Sequence, residues 1–428
     1  MRFPPLFLSA PLPRPRRPRV APRERRAGAA FHRLRSALPQ ALPSVTLDPM
    51  PHPSPTADAE PIPRPAAPGR GRADTAASDA GARPPARDLA ALYGVAVVPA
   101  PPPARGGPEP SPEPCIVCGL AGAPAAMHLP EFGIWLRRCG GCGLGWLDPM
   151  PGKALLRSFY PEDYYGAPGH KFEALIEPVV RLVGARHARF LSRGLDPGAR
   201  ILDVGCGRGV HLRGLLDAGL EIHGFEISEE AVRGLDPRVR TRVAPDLREA
   251  GYPSAHFDEV ILWHVLEHAA DPLGLLDEIH RVLRPGGRLV VAVPNFGSLQ
   301  ARFAGPAWFH LDPPRHLFHF TVPALRRALL DRGFRVRSEH HFSLRQNPFG
   351  WVQSALNRIP GLPRNGLYVL LHRGAGPSEA RWPRGLRLRL RAAFFALLPL
   401  GLGLSVIATW LRTGATIHLV AERDASAP

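Results

Sequence analysis

Three groups of residues in the 428-residue chain have types and spacings that could do chemistry. The first is a repeated pattern: Cys115-Ile-Val-Cys118-Gly-Leu returns as Cys139-Gly-Gly-Cys142-Gly-Leu, with twenty residues between the pairs. Each is a tight knuckle in which glycine relieves the backbone while two thiolates turn onto one ion. Four thiolates make a closed tetrahedral site, so Cys115, Cys118, Cys139 and Cys142 predict structural zinc. Redox dithiols are the other use of such pairs, but those occur singly and beside a βαβ unit. The second group is Asp203-Val-Gly205-Cys-Gly207-Arg-Gly209. Glycines at alternate positions let the backbone turn sharply and approach a ligand closely. The acid Asp203 would repel a pyrophosphate but suits a ligand carrying an ammonium and a sulfonium, and Val210 occupies the last position of the dinucleotide pattern. Glu226 follows Asp203 by 23 positions, the distance at which a carboxylate ending the neighbouring strand takes ribose hydroxyls. The third group is His264-Val-Leu-Glu267-His268, followed by His310, His316 and His319. H-x-x-E-H is also a metalloprotease spacing, but that use needs one helix carrying both histidines and a third ligand downstream.

These residues need elements to hold them, and the apolar pattern supplies an alternation of strand and helix from Ala199 onward. Arg200–Val204 reads as a buried parallel strand running into the glycine turn, and Leu212, Leu215 and Leu216 follow at helical spacing until Gly219. Glu221–Ile227, Val239–Val243, Phe257–Trp263 and Arg288–Pro294 are the next strands, with His264 ending the fourth of the series. Between the last two, Asp271 caps a helix with Pro272 in its first turn and Leu276, Ile279 and Leu283 on its buried stripe. Thr321 caps another helix with Leu325, Ala328 and Leu329 on one face. Phe334–Phe342 and Ala415–Ala421 complete a seven-stranded set. The fold class is therefore α/β, Rossmann-like, with a mostly parallel sheet and a small zinc module in front.

The order and spacing of Ile201–Gly209, Glu226, Asp246, Phe257–His268 and Val282-Leu-Arg-Pro-Gly-Gly287 resemble the class I S-adenosylmethionine-dependent methyltransferases. The likeness extends to a subgroup with a four-cysteine module before the domain and Pro294–Ser298 and Pro313–Phe320 stretches after it, so it covers most of residues 111–342. The resemblance implies that Gly205, Gly207 and Gly209 line the methionine part of S-adenosylmethionine, with Asp203 near its amino group. It implies that Glu226 binds the ribose and Asp246 the adenine edge, while Cys206 merely fills the turn. Methyl transfer is an in-line displacement, so the protein supplies orientation and, for a poor nucleophile, a base. His264 is the first candidate, because the carboxyl end of its strand faces the cofactor's methyl group; His268 and His316 are the others. Some quinone-pathway methyltransferases of similar sequence bind a metal at the His264–His268 block. Asp312-Pro-Pro-Arg315 is similar to the Asp-Pro-Pro-aromatic motif of nucleic-acid amino-methyltransferases, but it stands after the wrong strand and lacks the aromatic. Asn347-Pro-Phe349 is equally displaced.

The expected organisation is a Pro/Arg-rich disordered extension over 1–110, the zinc module over 111–150, a helical linker over 151–195 and the methyltransferase domain over 196–428. Residues 1–114 hold 27 of the 52 prolines and almost no periodic apolar pattern, too little to offset the entropy of ordering. The Arg-rich start could mimic a transit peptide, but it is too short in apolar residues for a signal core. The net charge of +17 comes almost wholly from arginine, 16 of them within 1–110, which reads as a compositional bias rather than a nucleic-acid surface. Five cysteines offer no disulfide framework, which points to a reducing cytoplasm. The acceptor is expected to be a small molecule, of sugar, quinone- or polyketide-like, or lipid-linked kind. Ribosomal RNA methylation and cofactor binding without catalysis are the alternatives. The least expected feature is a helical apolar insertion at 343–413, with Arg381–Arg391 followed by twenty uncharged residues, Ala392–Leu411. Pro399, Gly401 and Gly403 would break that run into two short helices, at most a shallow hairpin on a membrane surface. The other use of the run is a cover over the substrate pocket or a dimer contact.

Overall fold

The computed structural model describes residues 109–152 apart from 131, 155–156, 177–371 apart from 210–211, and 382–425. The Pro/Arg-rich extension up to residue 108, the tyrosines of Phe159–Tyr165 and the beginning of the Lys171–Arg193 segment lie outside the described residues.

Both cysteine pairs sit in knuckles beside an antiparallel sheet of β1 (Ala125–Leu129), β2 (Ile134–Arg138) and β3 (Gly145–Asp148). α1 (Glu177–Leu191) leads to β4 (Arg200–Val204), α2 (Leu212–Leu216), β5 (Glu221–Glu226), α3 (Glu229–Val232) and β6 (Arg240–Val243). β7 (Phe257–Trp263), α4 (Pro272–Val282) and β8 (Leu283–Pro294) follow. Asp271 caps α4 through a Gly274 N–H to Oδ1 bond of 2.8 Å, as its position predicts. The helix ends sooner than its apolar stripe suggests: Leu283 already has extended dihedrals and opens the 12-residue β8, with Gly286 in the left-handed region. α5 (Leu299–Ala304), β9 (Phe318–His319), α6 (Val322–Leu330) and β10 (Phe334–His340) come next. α7 (Asn347–Leu356), α8 (Gly366–Leu371) and α9 (Arg384–Trp410) form the insertion before β11 (Thr416–Arg423).

The main sheet has the order β10-β11-β8-β7-β4-β5-β6. Its β6-β5-β4-β7-β8 portion is parallel, and β11 runs antiparallel between β8 and β10. This is the mostly parallel α/β sheet that the sequence predicts. The order reverses at β4, so the carboxyl ends of β4, β5 and β7 face one crevice, where ligands bind in such sheets.

The cysteine module does not stand apart from this domain. Its sheet takes a fourth strand from far along the chain, β9 pairing with β3 through Gly145↔His319 and Trp146↔Phe318. The Thr321 hydroxyl donates to the Cys142 carbonyl at 2.7 Å while also capping α6. Leu129, Leu136, Leu144 and Leu147 are fully buried in one core with Val293, Phe296, Trp308 and Phe320.

The insertion differs from its sequence expectation. α9 is one 27-residue helix with Pro399 inside it. Proline removes the N–H that would bond the Phe395 carbonyl, but Phe395 and Pro399 both lie on the exposed side. Gly401 is not a breaker either. A Cβ there would come within 2.8 Å of the Pro348 carbonyl, so glycine is what lets α9 lie against the start of α7.

One buried ion pair ties the central strands together. Glu259 on β7 is fully buried and pairs with the Arg288 guanidinium on β8, which also donates to the backbone carbonyls of Leu191 and Arg193 behind α1. Burial pushes the Glu259 carboxyl up to about 7, against the pull of Arg288. Arg288→Met is expected to cost about 3–5 kcal/mol, because it strands a buried carboxylate. Adding Glu259→Leu should recover most of that loss in a denaturant melt. A single variant as stable as the native chain would mean that the pair contributes nothing.

Candidate active site

The glycine turn has the geometry its sequence implies, with each glycine doing something different. Gly205, Gly207 and Gly209 have φ of +70°, +49° and +62°. A Cβ at Gly205 would stand 2.5 Å from the Val265 side chain, and one at Gly209 2.6 Å from Leu235. These two glycines serve packing. A Cβ at Gly207 would meet no protein atom within 4 Å, so that backbone faces open space. The Gly207 N–H donates to Glu226 Oε2 at 3.0 Å and the Ile227 N–H to Oε1 at 2.8 Å, fixing the carboxylate at the end of β5 against the turn. Burial raises the Glu226 carboxyl above its usual range, and the two N–H donors oppose that shift. Asp203 is buried at the end of β4. Asp246 is exposed just past β6 and accepts the Arg248 N–H at 2.8 Å. The Ala244 N–H to Glu226 carbonyl bond of 3.1 Å holds this loop on the same edge of the crevice. Cys206 packs its sulfur against Gly224, and burial pushes its thiol well up, so it fills the turn without reactive character.

The open space beside Gly207, rimmed by Asp203 and Glu226, fits a bound S-adenosylmethionine. The backbone can approach a ligand closely there, and two carboxylates stand at its edge.

The histidines separate into two sets joined by Glu267. His264 follows β7 in a left-handed conformation, φ +56°, and its N–H bonds the Ala292 carbonyl at 2.9 Å. Its Nδ1 lies 3.1 Å from Glu267 Oε1, and its Nε2 is buried without a hydrogen-bond partner among the described residues. Val265, the next residue, packs on Gly205, so the backbone that carries His264 adjoins the glycine turn. His268 and His316 form the other set, their rings edge to face at 4.6 Å. Each uses Nδ1 on a backbone carbonyl: His268 on Arg315 at 3.0 Å, His316 on His310 at 2.8 Å. Nδ1 must therefore carry the proton, which leaves Nε2 with a lone pair. Burial holds the imidazoles of His268 and His316 below their usual pKa, hence neutral. Ligating atoms of Glu267, His268 and His316 lie within 4.8 Å of one another, a donor set able to hold a divalent cation. His264 is not part of it, so the H-x-x-E-H pattern is not one coordinating unit.

Glu267 is the residue that the sequence reading undervalues. It is visible there only as the acid of a motif, yet it is 1% exposed and touches both sets. Its own carbonyl accepts the Leu317 N–H at 2.8 Å, which anchors the stretch carrying His316. The Asp312-Pro-Pro-Arg315 string has a structural use. Arg315 forms a two-pronged pair with Asp312 at 3.0 and 2.7 Å, which closes the loop before His316.

The family described as methyltransferase domain matches residues 175–339. The ubiquinone biosynthesis O-methyltransferase of Maricaulis maris (strain MCS10) is 30% identical over 186 residues, 40% of this chain and 72% of that protein. The enzyme of the same name from Xanthomonas oryzae pv. oryzae (strain PXO99A) is 33% identical over 116 residues, and the chain covers 48% of its length. A solved S-adenosylmethionine-dependent methyltransferase from Archaeoglobus fulgidus is 20% identical, with a TM-score of 0.37, 57% of this chain and 94% of that one being covered. The chain belongs to the S-adenosylmethionine-dependent methyltransferases.

Two neighbouring glycines give a clean test of the cofactor site. Gly207→Ala is expected to weaken S-adenosylmethionine binding at least tenfold in calorimetry while lowering the melting temperature only by the cost of a left-handed alanine, about 1 kcal/mol. Gly205→Ala should instead lower the melting temperature, since its methyl group collides with Val265. Equal cofactor affinity in Gly207→Ala and the native chain would remove the turn from the site.

Proposed function

We propose that the protein transfers the methyl group of S-adenosylmethionine to a hydroxyl of a small aromatic acceptor of the quinol or catechol class, with His264 as the base. The observation that carries this reading is the His264–Glu267 pair at the carboxyl end of β7. In this reading the proton sits on Nδ1, toward the buried Glu267 carboxyl group, which leaves Nε2 of the neutral ring its lone pair. That nitrogen has no hydrogen-bond partner among the described residues, and the next residue, Val265, packs on Gly205 of the turn. A phenolic hydroxyl is a poor nucleophile until its proton leaves, and a neutral imidazole can take that proton. Asp203, the Gly205–Gly209 turn, Glu226 and Asp246 would hold the cofactor, which supplies the electrophilic methyl group. His268 and His316, with Glu267, would orient the acceptor, either through their Nε2 lone pairs or through a cation bound between them. The ubiquinone-pathway names of the relatives above point to the same acceptor class.

His264→Ala is expected to lower single-turnover methylation of a catechol at least a hundredfold, with S-adenosylmethionine affinity unchanged. A loss in His316→Ala with none in His264→Ala would move the base to the second set. A protein that binds the cofactor and methylates neither catechols nor quinols would overturn the acceptor class.

We also infer that the four cysteines hold one structural zinc ion. The Cys115–Cys142 and Cys118–Cys139 sulfurs are 3.6 and 3.4 Å apart, and none of the five cysteines is in a disulfide. Those separations suit a tetrahedron of thiolates whose edges run roughly 3.8 Å for Zn–S bonds of about 2.3 Å. The two knuckles also share their backbone bonds, Gly119 N–H to Cys115 and Gly143 N–H to Cys139, at 2.8 and 3.1 Å. One zinc per chain is expected from metal analysis of protein purified under reducing conditions, as suits a cytoplasmic enzyme. Cys115→Ser should lower the melting temperature of the whole domain, because β9 and Thr321 belong to both parts. Metal-free protein of native stability would contradict the zinc reading.

A further inference from the structure

α9 presents an outward face that nothing among the described residues covers. Only 17% of its most apolar stretch is buried, although the helix is long and apolar enough to cross a membrane. The inner side, with Leu390, Gly401, Ser405 and Ala408 buried, lies on the protein along its whole length. The outer side carries Leu388, Phe395, Leu400, Val406, Ile407 and Trp410, at 45% exposure or more and 83% for Trp410. At about 1.5 Å per residue this apolar stripe runs for roughly 30 Å, far more than isolated surface leucines explain.

Basic residues bracket the stripe and no acid interrupts it. Arg384, Arg387, Arg389 and Arg391 occupy the first turns of the helix, and Arg384–Trp410 contains no Asp or Glu. Arg412 follows its end and lines one cleft together with Arg138 and Arg302. A tryptophan at the rim of an apolar face, with arginines at both ends, is the pattern of a helix lying in the boundary between headgroups and acyl chains.

Crossing the bilayer is excluded by what the inner side touches. A spanning helix would need lipid or apolar protein around it, whereas α9 packs on α7, where Asn347, Gln353 and Ser354 are buried. The Thr413 N–H bonds the Ala408 carbonyl at 2.7 Å, and the Leu299 N–H bonds the Thr413 carbonyl at 3.1 Å, so the helix end is tied to the domain. We propose that this outer face docks the enzyme on a membrane rich in anionic lipid, α9 lying in the plane of the interface with its arginines on the headgroups. The earlier expectation of a broken hairpin gives way to one continuous helix, and that of a buried cover to an exposed face. The proposal goes beyond the methyl-transfer reading and does not rest on the acceptor's identity.

The test is flotation of the full chain with vesicles of phosphatidylglycerol and phosphatidylcholine, compared with phosphatidylcholine alone. The native chain is expected to float with the anionic vesicles, and Phe395→Glu combined with Ile407→Glu to lower the bound fraction at least tenfold. S-adenosylmethionine affinity measured in parallel should be the same in both, which separates this test from the cofactor assignment. Brominated acyl chains should quench part of the tryptophan emission of the native chain, and Trp410→Phe should abolish that part. The arginines of residues 1–110 remain in every variant, so capture by charge alone would leave the double variant bound like the native chain and would overturn the proposal. A native chain that stays unbound, or one that forms a dimer lost in the same double variant without binding vesicles, would overturn it as well.

Discussion

A carboxylate taken out of water must find donors within the protein, and Glu267 is almost completely buried at the carboxyl end of β7. Much of the candidate active site follows from meeting that demand. His264 turns into a left-handed conformation and brings Nδ1 to one oxygen, and the carboxylate also lies within 4.8 Å of ring nitrogens of His268 and His316. The same residue's backbone carbonyl holds Leu317, so the loop from Asp312 to His319 is fastened to the strand end that carries His264. Position and protonation are set together here. A proton on Nδ1 of His264 would satisfy this carboxylate, and burial keeps the surrounding imidazoles neutral.

The glycine turn and the cysteine module reach the same place from opposite sides. Val265 occupies the room that the missing Gly205 side chain leaves, which couples the cofactor turn to the histidine pair. Strand β9, beginning two residues after His316, closes the sheet of the cysteine module, and Thr321 links α6 to Cys142. The module's contribution is rigidity: through β9 and Thr321 it holds one end of the loop on which His316 sits.

Much of this was legible in the sequence, wherever a local pattern and the fold agree. Phe257–Trp263 reads as a strand with the same bounds as β7, and Asp271 and Thr321 cap the helices that follow them. The glycine turn, with Glu226 23 positions beyond Asp203, marks the crevice because the backbone needs those residues whatever the surroundings. The failures are cases in which a partner distant in sequence decides. Gly401 and Pro399 read as helix breakers, but Gly401 is required by the Pro348 carbonyl, and Pro399 falls on a side with no neighbour. The two residues of β9 are too few to announce a strand, and only their pairing with β3 makes them one. Glu267 gave no sign of its burial, since an acid inside a motif looks the same whether solvated or enclosed.

The central claim is that Glu267 holds His264 in the one tautomer that can act as a base toward an acceptor. Side-chain nitrogen chemical shifts of His264 measure this directly in the S-adenosylmethionine-bound protein near neutral pH. The account expects Nδ1 to carry the proton and Nε2 to be bare in the native chain, with a mixture of tautomers in Glu267→Gln. A His264 protonated on Nε2 in the native chain, or a tautomer unchanged by Glu267→Gln, would contradict it.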